Sequence, residues 1–221
     1  MDDVRVATAG LLFDMDGVLV SSIGSVTRCW RRWAAHYGVL NAETLEIAHG
    51  TRAIEIMELL VPGIDKVAGL QLIEDMEIED VGDLRVLPGA RALLESLPPE
   101  RWAIVTSATY RLLLGRLKAA ELPVPERFVS GDQVVHGKPD PEPYLRGAEL
   151  IQSAPAQCIV VEDAPSGVRS GVAAGCRVLG VLGTHSAEEL RAAGAEWVVG
   201  SLEGVSAKVV EGGLDLRFVV A

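Results

Sequence analysis

Leu11-Leu12-Phe13-Asp14-Met15-Asp16-Gly17-Val18-Leu19 sets two carboxylates two positions apart at the end of an apolar run and closes on a glycine. In a β-strand the side chains at i and i+2 share a face, so Asp14 and Asp16 are expected to point the same way where the strand finishes. Two like charges this close call for a hard divalent cation with oxygen ligands, or for a shared proton with split pKa values. Carboxylates placed this way also serve as nucleophiles. A bare Asp-x-Asp-Gly can equally end a strand as a solvated acidic turn, so its reading depends on what the rest of the chain supplies.

Immediately before the pair, Val4 to Phe13 reads as one largely apolar strand, dense enough in Val, Leu and Phe for a sheet covered on both faces. The pair then sits at a strand's carboxyl end, where open α/β sheets bind ligands. After it the period changes. Ile23, Val26, Trp30, Trp33 and Tyr37 recur at spacings of three and four, the stripe of an amphipathic helix that ends near Gly38. Helical patterns continue through 44–48, 53–60 and 67–78, with Pro62-Gly63 between them and no strand pattern for about sixty residues. This predicts a separate helical unit at 20–83, inserted into a core made of 1–19 and 84–221. Within it, His49-Gly50-Thr51-Arg52 breaks the apolar pattern with a glycine between cation-capable side chains, and His49, Gly50 and Arg52 are candidate ligand contacts.

From Val86 the chain alternates: helices at 89–97, 109–120, 141–151, 166–175 and 186–193, and strands at 102–105, 127–130, 158–162, 177–182 and 196–199, with a last apolar stretch at 214–220. Strand and helix in repeated alternation predict an α/β fold, a doubly wound parallel sheet covered by helices. Three of its strand ends carry chemistry. Thr106-Ser107 offers hydroxyls and backbone N–H groups at a helix start, which suits an anion. His136-Gly137-Lys138-Pro139-Asp140-Pro141 holds Lys138 in a stiff loop, and it is not a P-loop, since Pro139 stands where Ser or Thr would be. Glu162-Asp163, after Ile159-Val160-Val161, repeats the theme of acids at a strand end and can complete a metal site. Gly167, Gly171 and Gly175, four apart, are expected to line one helix face that packs on the sheet. Each signal alone has a bland reading as a cap or solvated turn, but a parallel sheet brings four such ends to one edge.

Composition narrows the partners. The chain has 221 residues, 49% hydrophobic and 23% charged, enough for a full core. Its net charge of −11 argues against nucleic acid and anionic membrane as partners, so an anionic ligand must be held by local positive charge. Cys29, Cys158 and Cys176 are odd in number and lie in apolar contexts, which predicts buried, reduced thiols. Neither a signal sequence nor a run of eighteen apolar residues occurs, and a soluble cytoplasmic protein is expected.

Taken in order, Asp14-Met15-Asp16-Gly17, Thr106-Ser107, Lys138 and Glu162-Asp163 resemble the four motifs of the haloacid-dehalogenase-like hydrolase superfamily, across nearly the full length. The resemblance implies a Rossmann-like core with a helical cap domain at 20–83. It implies Asp14 as nucleophile, Asp16 as general acid and base, Lys138 as a catalytic cation and Thr106 and Ser107 as phosphate contacts. Mg²⁺ would be bound by Asp14, the main-chain carbonyl of Asp16 and Asp163, with Glu162 close by. Ala48-His49-Gly50-Thr51-Arg52, Leu97-Pro98-Pro99-Glu100-Arg101-Trp102-Ala103 and Gly137 to Tyr144 look like the glycerol-phosphate and deoxyglucose-phosphate phosphatases of that superfamily. The implied activity is hydrolysis of small sugar or polyol phosphates by a monomer whose partner is a small phosphorylated metabolite. Ser21 departs from the family pattern, where an Asp often follows the first motif.

The chief alternative is a β-phosphoglucomutase-like sugar-phosphate mutase, which shares every core residue. Those mutases look like Asp-Thr-x-x-x-His-x-x-x-Trp after the first motif. Here Trp30 fits, but Ser21, Ser22 and Val26 stand at the Asp, Thr and His positions. A phosphoacceptor signalling module fits less well, because such modules are shorter and carry the acceptor Asp on a later strand. A dehalogenase has no need of a second acid at Asp16.

Overall fold

The computed structural model describes residues 3–47 and 50–221. The stretch read as one strand is two: β1 (Asp3–Thr8) and β2 (Gly10–Phe13) belong to different sheets. The break has a local cause. A Cβ on Gly10 would lie 2.4 Å from the Arg101 carbonyl oxygen, so only glycine lets the chain pass. Beside it, Thr8 turns its hydroxyl back to the carbonyls of Gly10 and Gln157 at 2.9 and 2.8 Å. β1 largely alternates exposed and buried residues, as a half-covered strand does, whereas every residue of β2 is buried.

A two-residue strand, β3 (Val20–Ser21), leads into α1 (Ile23–His36). Then come α2 (Ala53–Leu60), α3 (Lys66–Glu79) and β4 (Arg85–Val86), which pairs antiparallel with β3. Both chain crossings to the helical block therefore run side by side. In place of the helix expected at 44–48, the described residues show a single 3-10 turn over Ala42–Thr44, entered through the left-handed Asn41 and followed by irregular chain at 45–47, while Ala48 lies outside the described residues. The three helices enclose their own apolar cluster of Cys29, Trp30, Trp33, Ala34, Ala42, Ile56, Met57 and Ile73. Trp33, fully buried, donates its indole N–H to the Gly69 carbonyl at 2.9 Å, and truncating it would cost about 3–5 kcal/mol.

The remainder alternates as expected: α4 (Ala90–Ser96), β5 (Trp102–Val105), α5 (Tyr110–Ala119), β6 (Phe128–Val129), α6 (Glu142–Leu150), β7 (Cys158–Glu162), α7 (Pro165–Ala173), β8 (Arg177–Val181), α8 (Ala187–Ala193) and β9 (Trp197–Val199). Six parallel strands lie in the order β6-β5-β2-β7-β8-β9. Side chains alternate between faces. Leu11 and Phe13 join Ile104, Val161 and Leu113 in one cluster under α4 and α5. Leu12 joins Val105, Val160, Tyr144 and Val168 in a second under α6, α7 and α8. The sheet is thus covered on both faces, the doubly wound arrangement.

One hairpin was not anticipated. β10 (Ser206–Val210) and β11 (Gly213–Val219) join β1 in a three-stranded antiparallel sheet, and Leu214, Leu216 and Phe218 extend the first cluster. Gly175 also departs from expectation: no atom lies within 4 Å of its would-be Cβ and its φ is +82°, so it serves the turn after α7 rather than packing. The three cysteines are free and buried. Among the described residues, no helix is long and apolar enough to cross a membrane.

Candidate active site

β2 lies at the sheet's centre, and the chain leaves it for β5 on one side and returns as β7 on the other. Such a reversal opens a crevice at the strands' carboxyl ends. Asp14 follows β2, Thr106 and Ser107 follow β5, and Glu162 and Asp163 end β7. Lys138 comes from the loop between β6 and α6.

Lys138 ties these ends together. Its ammonium donates to Asp14 Oδ1 at 2.8 Å, to Glu162 Oε1 at 2.7 Å and to the Val105 carbonyl at 2.9 Å. All three N–H donors are thereby used. Burial works against its charge, but Asp14 and Glu162 outweigh that and raise its pKa. Asp14 is pushed up to about 7, first by burial and further by Glu162 and Asp16, against the pull of Lys138. Asp163 is also raised, by burial first and then by Glu162 and Asp14. Three buried carboxylates therefore face one ammonium, an excess of negative charge that a bound cation would relieve.

A divalent metal fits this place. One oxygen each from Asp14, Glu162 and Asp163 lies within 4.8 Å of the others. Their availability differs. Glu162 is already engaged on both oxygens, by Lys138 and by the Tyr144 hydroxyl at 2.7 Å on Oε1, and by the Asp163 and Ala164 N–H groups on Oε2. Thr184, past the end of β8, donates its hydroxyl to Asp163 Oδ2. Gly17 makes room for that carboxylate, since a Cβ there would come within 1.9 Å of Asp163 Oδ2 at a φ of +89°.

Asp16 does not share Asp14's surroundings. Its carboxylate turns into the cleft between sheet edge and helices, where Ser22 Oγ donates to Oδ1 at 2.7 Å and Arg116 Nη1 to Oδ2. The strand ends at Phe13, so the i, i+2 rule does not bind the pair: both line the cleft, but Asp14 is bonded to Lys138 and Asp16 to Ser22 and Arg116. The cleft is lined by the core residues Asp14, Asp16, Thr106 and Ser107 and, from the helical side, by Val26, Trp30, Gly50, Thr51, Glu74 and Glu77. Ser107 Oγ donates to the Gly50 carbonyl at 2.6 Å, a direct tie between the two sides.

Arg52 is not among the cleft residues. Its guanidinium donates to Glu55 Oε1 at 2.9 Å and to the Val134 carbonyl at 3.0 Å, and it packs on Gly137, whose would-be Cβ lies 2.6 Å from Arg52 Nε. In this structure Arg52 sits against the loop that carries Lys138 rather than in the cleft. His49 lies outside the described residues. Arg116, Glu77 and Thr184 were not anticipated. Arg116 is a charged residue inside the buried stripe Leu112, Leu113, Leu117 of α5, and Glu77 continues the inward face of Ile73 and Glu74 on α3, so an ionised group in an apolar stripe was the available signal. Thr184 offered only its place past a strand end.

A family model described as haloacid dehalogenase-like hydrolase matches residues 8–175. Hexitol phosphatase A of Escherichia coli is 44% identical over 177 residues, covering 78% of this chain and 82% of its own. 2-Deoxyglucose-6-phosphate phosphatase 2 of Saccharomyces cerevisiae is 32% identical over 217 residues, with 88% of each chain covered. A crystal structure of a hydrolase from Pseudomonas syringae superimposes with a TM-score of 0.78 at 25% identity, over 88% of this chain and 94% of that one.

Proposed function

This chain belongs to the haloacid dehalogenase-like hydrolases, and from that premise we propose that it is a Mg²⁺-dependent phosphatase of small sugar or polyol phosphates, working through a phosphorylated Asp14. The observation that carries the reading is Asp14 itself: buried, hydrogen-bonded to Lys138 and lining the cleft. The relatives named for hexitol phosphate and 2-deoxyglucose 6-phosphate support the substrate class.

In this reading an Asp14 oxygen attacks phosphorus, the bond from phosphorus to the alcohol oxygen breaks, and Asp16 gives its proton to the departing oxygen. Water then adds to phosphorus, Asp16 takes up the proton, and phosphate leaves Asp14. Lys138 holds the nucleophile in place, and Thr106 and Ser107 supply donors for the phosphoryl oxygens. Asp14, Asp163 and the Asp16 main chain would hold Mg²⁺, with Glu162 behind them. The metal would neutralise the charge of the transferring group. Residues 20–83 are proposed as a cap domain that closes over the leaving group, with Gly50 and Thr51 at its contact with Ser107. We read the protein as a cytoplasmic monomer.

Val26 supports hydrolysis over mutation. It lines the cleft at the position where the mutase pattern has histidine, and a valine has no proton to exchange with a sugar hydroxyl. The test is a panel of phosphomonoesters assayed for phosphate release with Mg²⁺ and with EDTA. Release from hexitol, deoxyhexose or glycerol phosphates, lost with EDTA, is expected. Conversion of a hexose 1-phosphate to its 6-phosphate without free phosphate would replace this reading with the mutase.

A further inference from the structure

Arg116 is the sole Lys or Arg among the described residues lining the cleft, and it is 5% exposed. An arginine beside a phosphatase cleft would ordinarily be assigned to the substrate's phosphate. Here its two terminal nitrogens are both taken: Nη1 donates to Oδ2 of Asp16 and Nη2 to Oε2 of Glu77. One carboxylate belongs to the sheet edge and the other to α3 of the helical block, so a single planar guanidinium from α5 bridges the two halves of the cleft. With Ser22 on Oδ1, both oxygens of Asp16 are fixed.

We infer that Arg116, held by Glu77, is the positioning residue that orients Asp16 for proton transfer to the leaving group, and that the contact forms only when α3 stands against the sheet edge. Three features carry this. The guanidinium fork fits two carboxylates at once, which a lysine's point charge does not. Its burial gives a rigid support, and proton transfer depends steeply on placement. Glu77, on the other side of the cleft, has no other cation bonded to it among the described residues. The assembly therefore couples approach of the helical block to the geometry of Asp16. It rests on the reading of Asp16 as the general acid.

The experiment compares kcat/KM on the preferred polyol phosphate with that on p-nitrophenyl phosphate, whose phenolate leaves without protonation. The quantity read is the ratio of the two. Asp16→Asn sets the scale: if it does not lower the ratio, Asp16 is not the acid, and this inference falls with it. If it does, the pair Arg116→Met with Glu77→Gln, which leaves no unpaired buried charge, is expected to lower the ratio at least about tenfold. Arg116→Lys keeps the buried charge and the fold but cannot bridge both carboxylates, and is expected to lower the ratio about threefold or more. A parental ratio in either folded variant, with Asp16→Asn having lowered it, would make Arg116 a packing ion pair and overturn the inference while leaving Asp16 its role.

Discussion

Lys138 and Asp14, 124 positions apart in sequence, meet through a 2.8 Å hydrogen bond in which the lysine's ammonium holds the carboxylate that follows the central strand. Glu162 and the Val105 carbonyl take the other two protons, so the bond fixes Asp14 relative to both neighbouring strands. The charge of Lys138 is structural as much as chemical. Lys138→Met would leave Asp14 and Glu162 buried without a cation, at a cost of about 3–5 kcal/mol. In a chain of this size that lowers Tm by roughly 10 °C, with loss of activity, in a thermal melt followed by circular dichroism. An unchanged Tm would show that the two carboxylates do not need the ammonium.

Mg²⁺ should stabilise the fold as well as support turnover, because it relieves the excess of buried carboxylates. At a hundredfold excess over its Kd it contributes about 2.7 kcal/mol, roughly 5–10 °C in Tm. Asp163→Asn, which removes the carboxylate that Thr184 orients, should abolish most of that shift. A full shift in the variant would place the metal elsewhere.

Glu77 gives a pH dependence with a definite sign. Its pKa is pushed up to about 7, by burial first and then by Asp16 and Glu74, against the opposing pull of Arg116. The folded protein therefore holds this proton where the unfolded chain has released it. That contribution to stability is complete below the ordinary glutamate range and is lost as pH rises through about 7. The Tm of Glu77→Gln relative to the parent should accordingly rise between about pH 5 and about pH 8. A relative Tm that does not rise over this interval would mean that Arg116 keeps Glu77 ionised throughout.

The parallel sheet and all four motif-bearing strand ends were legible because buried apolar runs ending in polar residues at regular spacing leave few alternatives. Val4 to Phe13 was not, since its two halves are both apolar. Only the partial alternation around Arg5 and Ala7, and the tight passage of Gly10 past Arg101, separate β1 from β2. β10 was hidden by its exposure: four of its five residues face solvent, and its pairing depends on β11 rather than on its own pattern. In the site, the structure brings together the expected Asp14, Thr106, Ser107, Lys138, Glu162 and Asp163, and adds Thr184 from a loop and Arg116 and Glu77 from helices. Arg116 and Glu77 meet across α5 and α3, a contact set by helix packing that no local spacing encodes. The placement of Arg52 was hidden for the same reason, because the Val134 carbonyl it bonds is remote in sequence.

Asp14→Asn is the most direct test of the central claim that Asp14 is the nucleophile. The amide keeps the shape and can still accept from Lys138, and it removes an ionised group whose burial is costly, so with EDTA present its Tm should match or exceed the parent's. Phosphate release from the best substrate with Mg²⁺ should then fall below about one per cent of the parental rate. A folded Asp14→Asn protein that keeps more than about a tenth of that rate would contradict the account.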